Sequence, residues 1–185
     1  MTGRPGLGPL YGDFVSRLAE ARIGGTFNFY RDGLRAAHLR ARLISYLEGK
    51  ADADVLLVAE APGYRGARVS GIAMTSERQL TGSGPAEATA TIVHRVLAEL
   101  GATERVLLWN IVPTHPGDEG SNRRPTRAEV EAGRPFAEEL AQGRLVVPVG
   151  RLAHGALGGS FVRHPARGGA AEFHSGLAAV LGERG

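Results

Sequence analysis

Three short segments constrain the fold more than anything else in this chain. Residues 55–59, 105–109 and 145–149 are strand-length and apolar at nearly every position. None shows the apolar–polar alternation of a strand with one wet face, so each is expected to be covered on both sides. Helical stretches separate them. Residues 87–100 end at Gly101, a helix-closing glycine. Thr126-Arg127-Ala128-Glu129 is a capping box that opens another helix. A short helix is expected over 152–157, a fourth strand over 160–163 and a last helix over 170–181. Strands that alternate with helices in this way form a parallel sheet. The expected fold class is therefore α/β, a three-layer α/β/α sandwich around a central four-stranded parallel sheet.

Two helices are expected before the first strand. Residues 13–22 place Phe14, Val15 and Leu18 on one face, and residues 33–47 repeat leucine, isoleucine and alanine near helical spacing. The loop between them, 26–30, holds Phe27, Phe29 and Tyr30, which fit core or lid packing better than ligand contact. The Gly- and Pro-rich start is expected to be a flexible arm reaching residue 12. At 185 residues with no repeat and no internal linker, one domain over 1–185 is expected.

Composition removes several chemistries. The chain has no cysteine, which excludes disulfides, thiolate zinc, iron–sulfur clusters and a cysteine nucleophile. Its six histidines form no His-x-x-x-His pair, so no metal is expected. No phosphate-binding Gly-x-x-x-x-Gly-Lys motif occurs. Gly82-Ser83-Gly84 lacks the third glycine of a dinucleotide fingerprint, and Val162 stands where a serine elbow needs glycine. The apolar runs are too short to span a membrane, and no charged start precedes an apolar stretch, so neither insertion nor export is expected. Lysine and arginine together number 22 against 19 acids, and Lys50 is the one lysine. Arginine forks onto phosphate and stacks on bases. GC-rich coding also favours arginine, so the charge alone carries little weight.

The functional signal is a convergence. In an open parallel sheet, ligands bind beyond the carboxyl ends of the strands. Three of those ends carry polar residues about fifty positions apart: Glu60, Asn110 and His164. The expected topology brings them to one rim. Outside the rim, His115-Pro116 repeats the dipeptide of His164-Pro165 without the rest of its pattern.

The residues around this rim resemble the uracil-DNA glycosylase superfamily. Glu60-Ala61-Pro62-Gly63 with Gly71-Ile72, Asn110-x-x-Pro113, Val149-Gly150-Arg151 and His164-Pro165 follow the family's motifs in order, across about 54–181. The Glu-Ala-Pro-Gly start is similar to the iron–sulfur glycosylases of thermophiles. The spacing to Gly71 is more like the single-strand-selective monofunctional branch. The chain departs from the family pattern in four places. It lacks the cluster cysteines, Ala61 replaces a water-handling aspartate, Met74 replaces a base-stacking Phe, and Ala166 replaces a serine.

The resemblance implies a monofunctional DNA glycosylase that flips a uracil-type base out of DNA and hydrolyses its N-glycosidic bond. Its expected catalytic set is Glu60, Asn110 and His164. The expected base pocket is Ala61, Pro62, Gly63, Tyr64, Gly71, Met74 and Asn110. Expected DNA contacts are Arg65, Arg68, Arg123, Arg124, Pro165, Ala166 and Arg167. Lys50 follows a helix away from the rim, so no lysine Schiff base is expected. The expected partner is DNA bearing uracil or a related altered base, with no membrane partner, no cofactor, a monomeric state and a cytoplasmic location. Two alternatives stay open: a glycosylase for another deaminated, damaged or modified base, and a non-catalytic DNA- or base-binding member of the fold.

Overall fold

The computed structural model describes residues 8–182. Its sheet is parallel, with the order β2-β1-β3: β1 is Val55–Ala59, β2 is Val106–Asn110 and β3 is Leu145–Pro148. β1 lies in the middle, with Val55 opposite both Val106 and Leu145, and Ala59 opposite Asn110. Successive side chains point to opposite faces. Leu56, Val58, Leu107 and Trp109 pack against α1 (Gly8–Glu20), α2 (Ala36–Gly49), α6 (Arg127–Ala141) and α7 (Arg151–Leu157). Val55, Leu57, Val106, Leu108 and Val147 pack against α5 (Ala88–Glu99) and α8 (Ala170–Gly182). Both faces are dry, which is why these strands carry no polar alternation. The three-layer α/β/α arrangement is the one expected.

The sheet itself is smaller than expected. The segment 160–163 makes a single parallel bridge, Val149 to Val162, and no fourth strand. Val162 N–H donates to the Pro148 carbonyl at 3.0 Å, and Gly150 N–H donates to the Val162 carbonyl at 2.8 Å. Gly159, at φ +85°, turns the chain immediately before this bridge. Pro165 follows and has no N–H to extend a ladder. The bridge nevertheless holds the chain beside β3, two residues short of His164.

Helix α1 covers Gly8–Glu20, so residues 8–12 of the expected arm are helical, and Tyr11 is buried. Residues 1–7 of that arm lie outside the described residues. The aromatic loop packs as core: Phe29 and Tyr30 are buried, and the Tyr30 hydroxyl donates to the Gly71 carbonyl at 2.7 Å. Asn28 is buried behind it and donates through Nδ2 to the carbonyls of Leu18, Ala19 and Ala21, closing the end of α1. Two short helices interrupt the expected loop after β1: α3 (Ala67–Ser70) and α4 (Glu77–Thr81). The capping box at Thr126 forms as expected, with Glu129 N–H on Thr126 Oγ1 and Thr126 N–H on the Glu129 carboxylate. In α6, a Cβ on Gly133 would collide with the Ile111 carbonyl, so glycine lets this helix close onto the turn after Asn110.

Candidate active site

Parallel pairing sends the carboxyl ends of all three strands to the same side. The ladder continues past the strands: Ile111 N–H donates to the Ala59 carbonyl at 2.8 Å and Val112 N–H to the Glu60 carbonyl at 3.1 Å. The turns carrying Glu60 and Asn110 are thus bonded side by side. On the other flank, Val149 N–H donates to the Val58 carbonyl at 2.8 Å, and the Val149–Val162 bridge delivers His164. Glu60, Asn110 and His164 meet around one cavity of about 290 Å³, walled also by Ala61, Pro62, Gly63, Met74 and Glu87. Glu60, Ala61, Pro62, Gly63 and His164 also line a larger cleft of about 960 Å³. Five arginines edge that cleft: Arg123, Arg124, Arg151, Arg163 and Arg167.

Each of the three polar residues has a defined state. Asn110 is 3% exposed, and its Oδ1 is buried with no hydrogen-bond partner. Buried acceptors are normally paired, and this one, on a residue that lines the cavity, lacks a partner within the protein. His164 Nδ1 lies 3.1 Å from the Ala166 N–H, which donates to it. Nδ1 is therefore the acceptor, and a neutral ring carries its proton on Nε2. Burial pushes the His164 pKa down, which favours the neutral ring at pH 7. Glu60 is half-buried, and burial raises its pKa while the Arg124 charge pulls it back toward the ionised form. Met74 reaches the cavity wall from a left-handed backbone, φ +49°, which is unusual for a residue with a side chain.

The other expected contacts divide. Ala61, Pro62, Gly63 and Met74 wall the smaller cavity. Tyr64, Gly71 and Pro165 line neither cavity. Tyr64 packs on the His115 ring at 5.9 Å, and its N–H donates to Asn122 Oδ1 at 2.8 Å. Gly71 takes a φ of +76° and receives the Tyr30 hydroxyl, a role in the fold. Pro165 is buried beneath the rim. Ala166, Arg167 and Arg124 edge the large cleft. Arg123 also edges it, but its guanidinium is clamped by the buried Glu129 carboxylate. Arg68 lies stacked between the rings of Tyr64, at 4.4 Å, and Phe27, at 5.1 Å. Arg65 is exposed and lines neither cavity. Lys50 donates to the Thr103 carbonyl at 2.6 Å, near the amino end of β2 and away from the rim.

Several residues at the site carry no local sequence signal. Glu87 walls the smaller cavity, and burial raises its pKa. His115 is 1% exposed, and its Nδ1 sits 2.8 Å from the Pro62 carbonyl, so it donates there and pins the Glu60–Gly63 turn from below. Arg151, Arg163 and the 46% exposed Phe161 edge the large cleft. Only the wall formed by β3, α7 and 160–163 reveals them together.

Among the described residues, no cluster of three histidine, aspartate or glutamate side chains could hold a metal ion, and no helix is long and apolar enough to cross a membrane. A sequence search of curated proteins gave no significant match. Among solved structures, the chain is similar to wild-type SMUG2 from Pedobacter heparinus, with a TM-score of 0.64 and 11% identity. That similarity covers 94% of this chain and 97% of the other. At that identity it speaks for the fold. Residues 47–180 match the family model of the uracil DNA glycosylase superfamily, most of the chain and all of the rim, and the chain belongs to that superfamily.

Proposed function

We propose that the chain is a monofunctional DNA glycosylase that removes uracil, or a closely related altered base, from DNA and leaves an abasic site. One observation carries the reading: Asn110, a buried amide whose Oδ1 has no partner, lines one cavity together with a His164 ring protonated on Nε2. An amide offers both an acceptor and a donor, which suits the imide edge of uracil. The target base must leave the stack to reach such a cavity.

In the proposed reaction, water adds its oxygen to C1′ of the deoxyribose. The bond from C1′ to the base nitrogen breaks, and its electron pair leaves with the base. Negative charge then grows on a base oxygen, where His164 Nε2–H donates. Positive charge grows on the sugar, where the Glu60 carboxylate stabilises it and accepts a proton from the water. Arg124, Arg151 and Arg167 of the adjoining cleft neutralise phosphates, and Lys50, at the amino end of β2, is not at the rim to form a Schiff base.

A second reading changes the base. Met74 stands in the cavity wall where the resemblance implies an aromatic, which favours a base that depends less on stacking. The test is a panel of oligonucleotides, each with one altered base, incubated with protein and then alkali. Breaks at uracil support the first reading, and breaks only at another base support the second. Binding without breaks in any lane would sink both and leave a DNA- or base-binding module.

A further inference from the structure

The turn after β1 has an unusual neighbour. A Cβ built on Gly63 would overlap the Glu87 carboxylate, and so would one built on Gly66. Both glycines therefore leave space that one acidic side chain fills. The Arg65 backbone N–H between them lies near enough to that carboxylate to favour its charged form. Glu87 is anchored in turn: its own N–H donates to Ser76 Oγ at 2.8 Å, the residue that caps α4. It stands immediately before α5, whose buried residues pack on the sheet. The same carboxylate walls the cavity shared by Asn110 and His164.

We propose that Glu87 is a positioning residue that clasps the turn 63–66 and holds the Pro62–Gly63 wall of the base cavity in place. The inference rests on the glycosylase reading for its effect on rate, but not for the clasp itself. The turn leaves β1 as a loop, with one internal bond from Gly66 N–H to the Gly63 carbonyl at 3.2 Å. His115 fixes its lower end at Pro62. Glu87 fixes the upper end from a different element. A cavity wall held at both ends keeps its shape when a base enters, which is how positioning groups lower a barrier.

Two readouts test this on the full chain. The first is amide hydrogen exchange at Arg65. Glu87→Ala should speed exchange there about tenfold, the effect of freeing a turn that the carboxylate holds, while Leu56 and Leu57 in β1 keep their protection. Glu87→Gln retains an acceptor oxygen and should lose less protection than Glu87→Ala. The second is single-turnover cleavage of the best substrate from the oligonucleotide panel. Glu87→Ala should slow it by about tenfold with little change in affinity for an abasic-site duplex, and Glu87→Gln should be impaired less. Gly63→Ala should be slow as well, and adding Glu87→Ala should cost nothing further, because the two changes break one contact. Unchanged exchange at Arg65 in Glu87→Ala overturns the proposal, and so does faster exchange with an unchanged cleavage rate. If wild type cleaves no altered base, the glycosylase reading fails, and the exchange result alone decides whether the clasp exists.

Discussion

The Ala166 N–H donates to His164 Nδ1 at 3.1 Å, and this one bond assigns the ring's tautomer. A neutral imidazole has one donor and one acceptor nitrogen. With Nδ1 occupied as acceptor, the proton sits on Nε2. Burial depresses the His164 pKa, so the ring stays neutral at pH 7. Removing one such donor costs on the order of 10²–10³ in rate, so His164→Ala should reduce single-turnover cleavage by about that factor. Its thermal midpoint should stay close to wild type, because His164 contributes little to the core. A large loss of stability with proportionate loss of activity would instead make His164 a structural residue.

Glu60 and Arg124 should be coupled in the pH profile. Burial raises the Glu60 pKa, and the Arg124 charge opposes that rise. If ionised Glu60 is required, the rate falls on the acid side as Glu60 protonates. Arg124→Ala removes the opposing charge, so the acid limb should move to higher pH. The check is single-turnover rate against pH at fixed ionic strength, for both proteins. A limb that stays in place, or moves to lower pH, contradicts the assignment of Glu60.

Asn110 should be sensitive to the sense of its hydrogen bonds. Its Oδ1 is buried and unpaired. Asn110→Asp preserves size but, when ionised, accepts and cannot donate. It should discriminate against uracil more strongly than it weakens binding to an abasic duplex. Equal losses on both ligands would place Asn110 in the general DNA interface.

How much of this was legible in the sequence follows from what each residue depends on. Glu60, Asn110 and His164 each follow a short apolar run or the Val162 bridge, so topology alone predicts their meeting, and the structure seats them around one cavity. The fourth strand does not form because pairing needs more than an apolar pair, Phe161 and Val162: Gly159, at positive φ, and Pro165, without an N–H, leave room for one bridge. Glu87 was invisible because its role comes from two glycines more than twenty residues away in the chain. His115 looked like a duplicate dipeptide, and only burial against the Pro62 carbonyl distinguishes it. Arg68 and Arg123 looked like phosphate contacts because sequence does not reveal that one is stacked between rings and the other paired with Glu129.

That division predicts different outcomes for the arginines. Arg124, Arg151 and Arg167 edge the large cleft with no hydrogen-bonding partner for their guanidinium groups among the described residues. Each one that contacts phosphate should, when replaced by alanine, lessen the slope of log affinity against log salt by about 0.9. Arg123→Ala should instead mainly lower stability, because it leaves the buried Glu129 carboxylate without its cation. Salt titrations and thermal melts on the four variants separate the two classes. A salt slope unchanged after replacing Arg124, Arg151 and Arg167 together would move the DNA footprint elsewhere.

Glu129 should also govern acid stability. Arg123 holds its pKa down from the ordinary 4.5 to about 2, aided by the Thr126 hydrogen bonds. A carboxylate with a depressed folded pKa stabilises the fold above the unfolded value, and that contribution disappears as pH falls through the folded one. The contribution is on the order of 3 kcal/mol and should be lost between about pH 4.5 and pH 2. Glu129→Gln should be less stable than wild type at pH 7 and show a flatter stability curve over that interval. Parallel curves for the two proteins in urea denaturation across pH would show that Glu129 does not carry this dependence.

The most direct test of the central claim follows the water oxygen. A uracil-containing oligonucleotide is incubated with the protein in water enriched in ¹⁸O, and both products are read by mass spectrometry. Hydrolysis of the N-glycosidic bond predicts free, unlabelled uracil and an abasic sugar carrying ¹⁸O at C1′. Glu60→Gln and His164→Ala should yield the same products more slowly. An oligonucleotide that is bound tightly and recovered with its base attached, from uracil and every other altered-base substrate alike, would contradict the account.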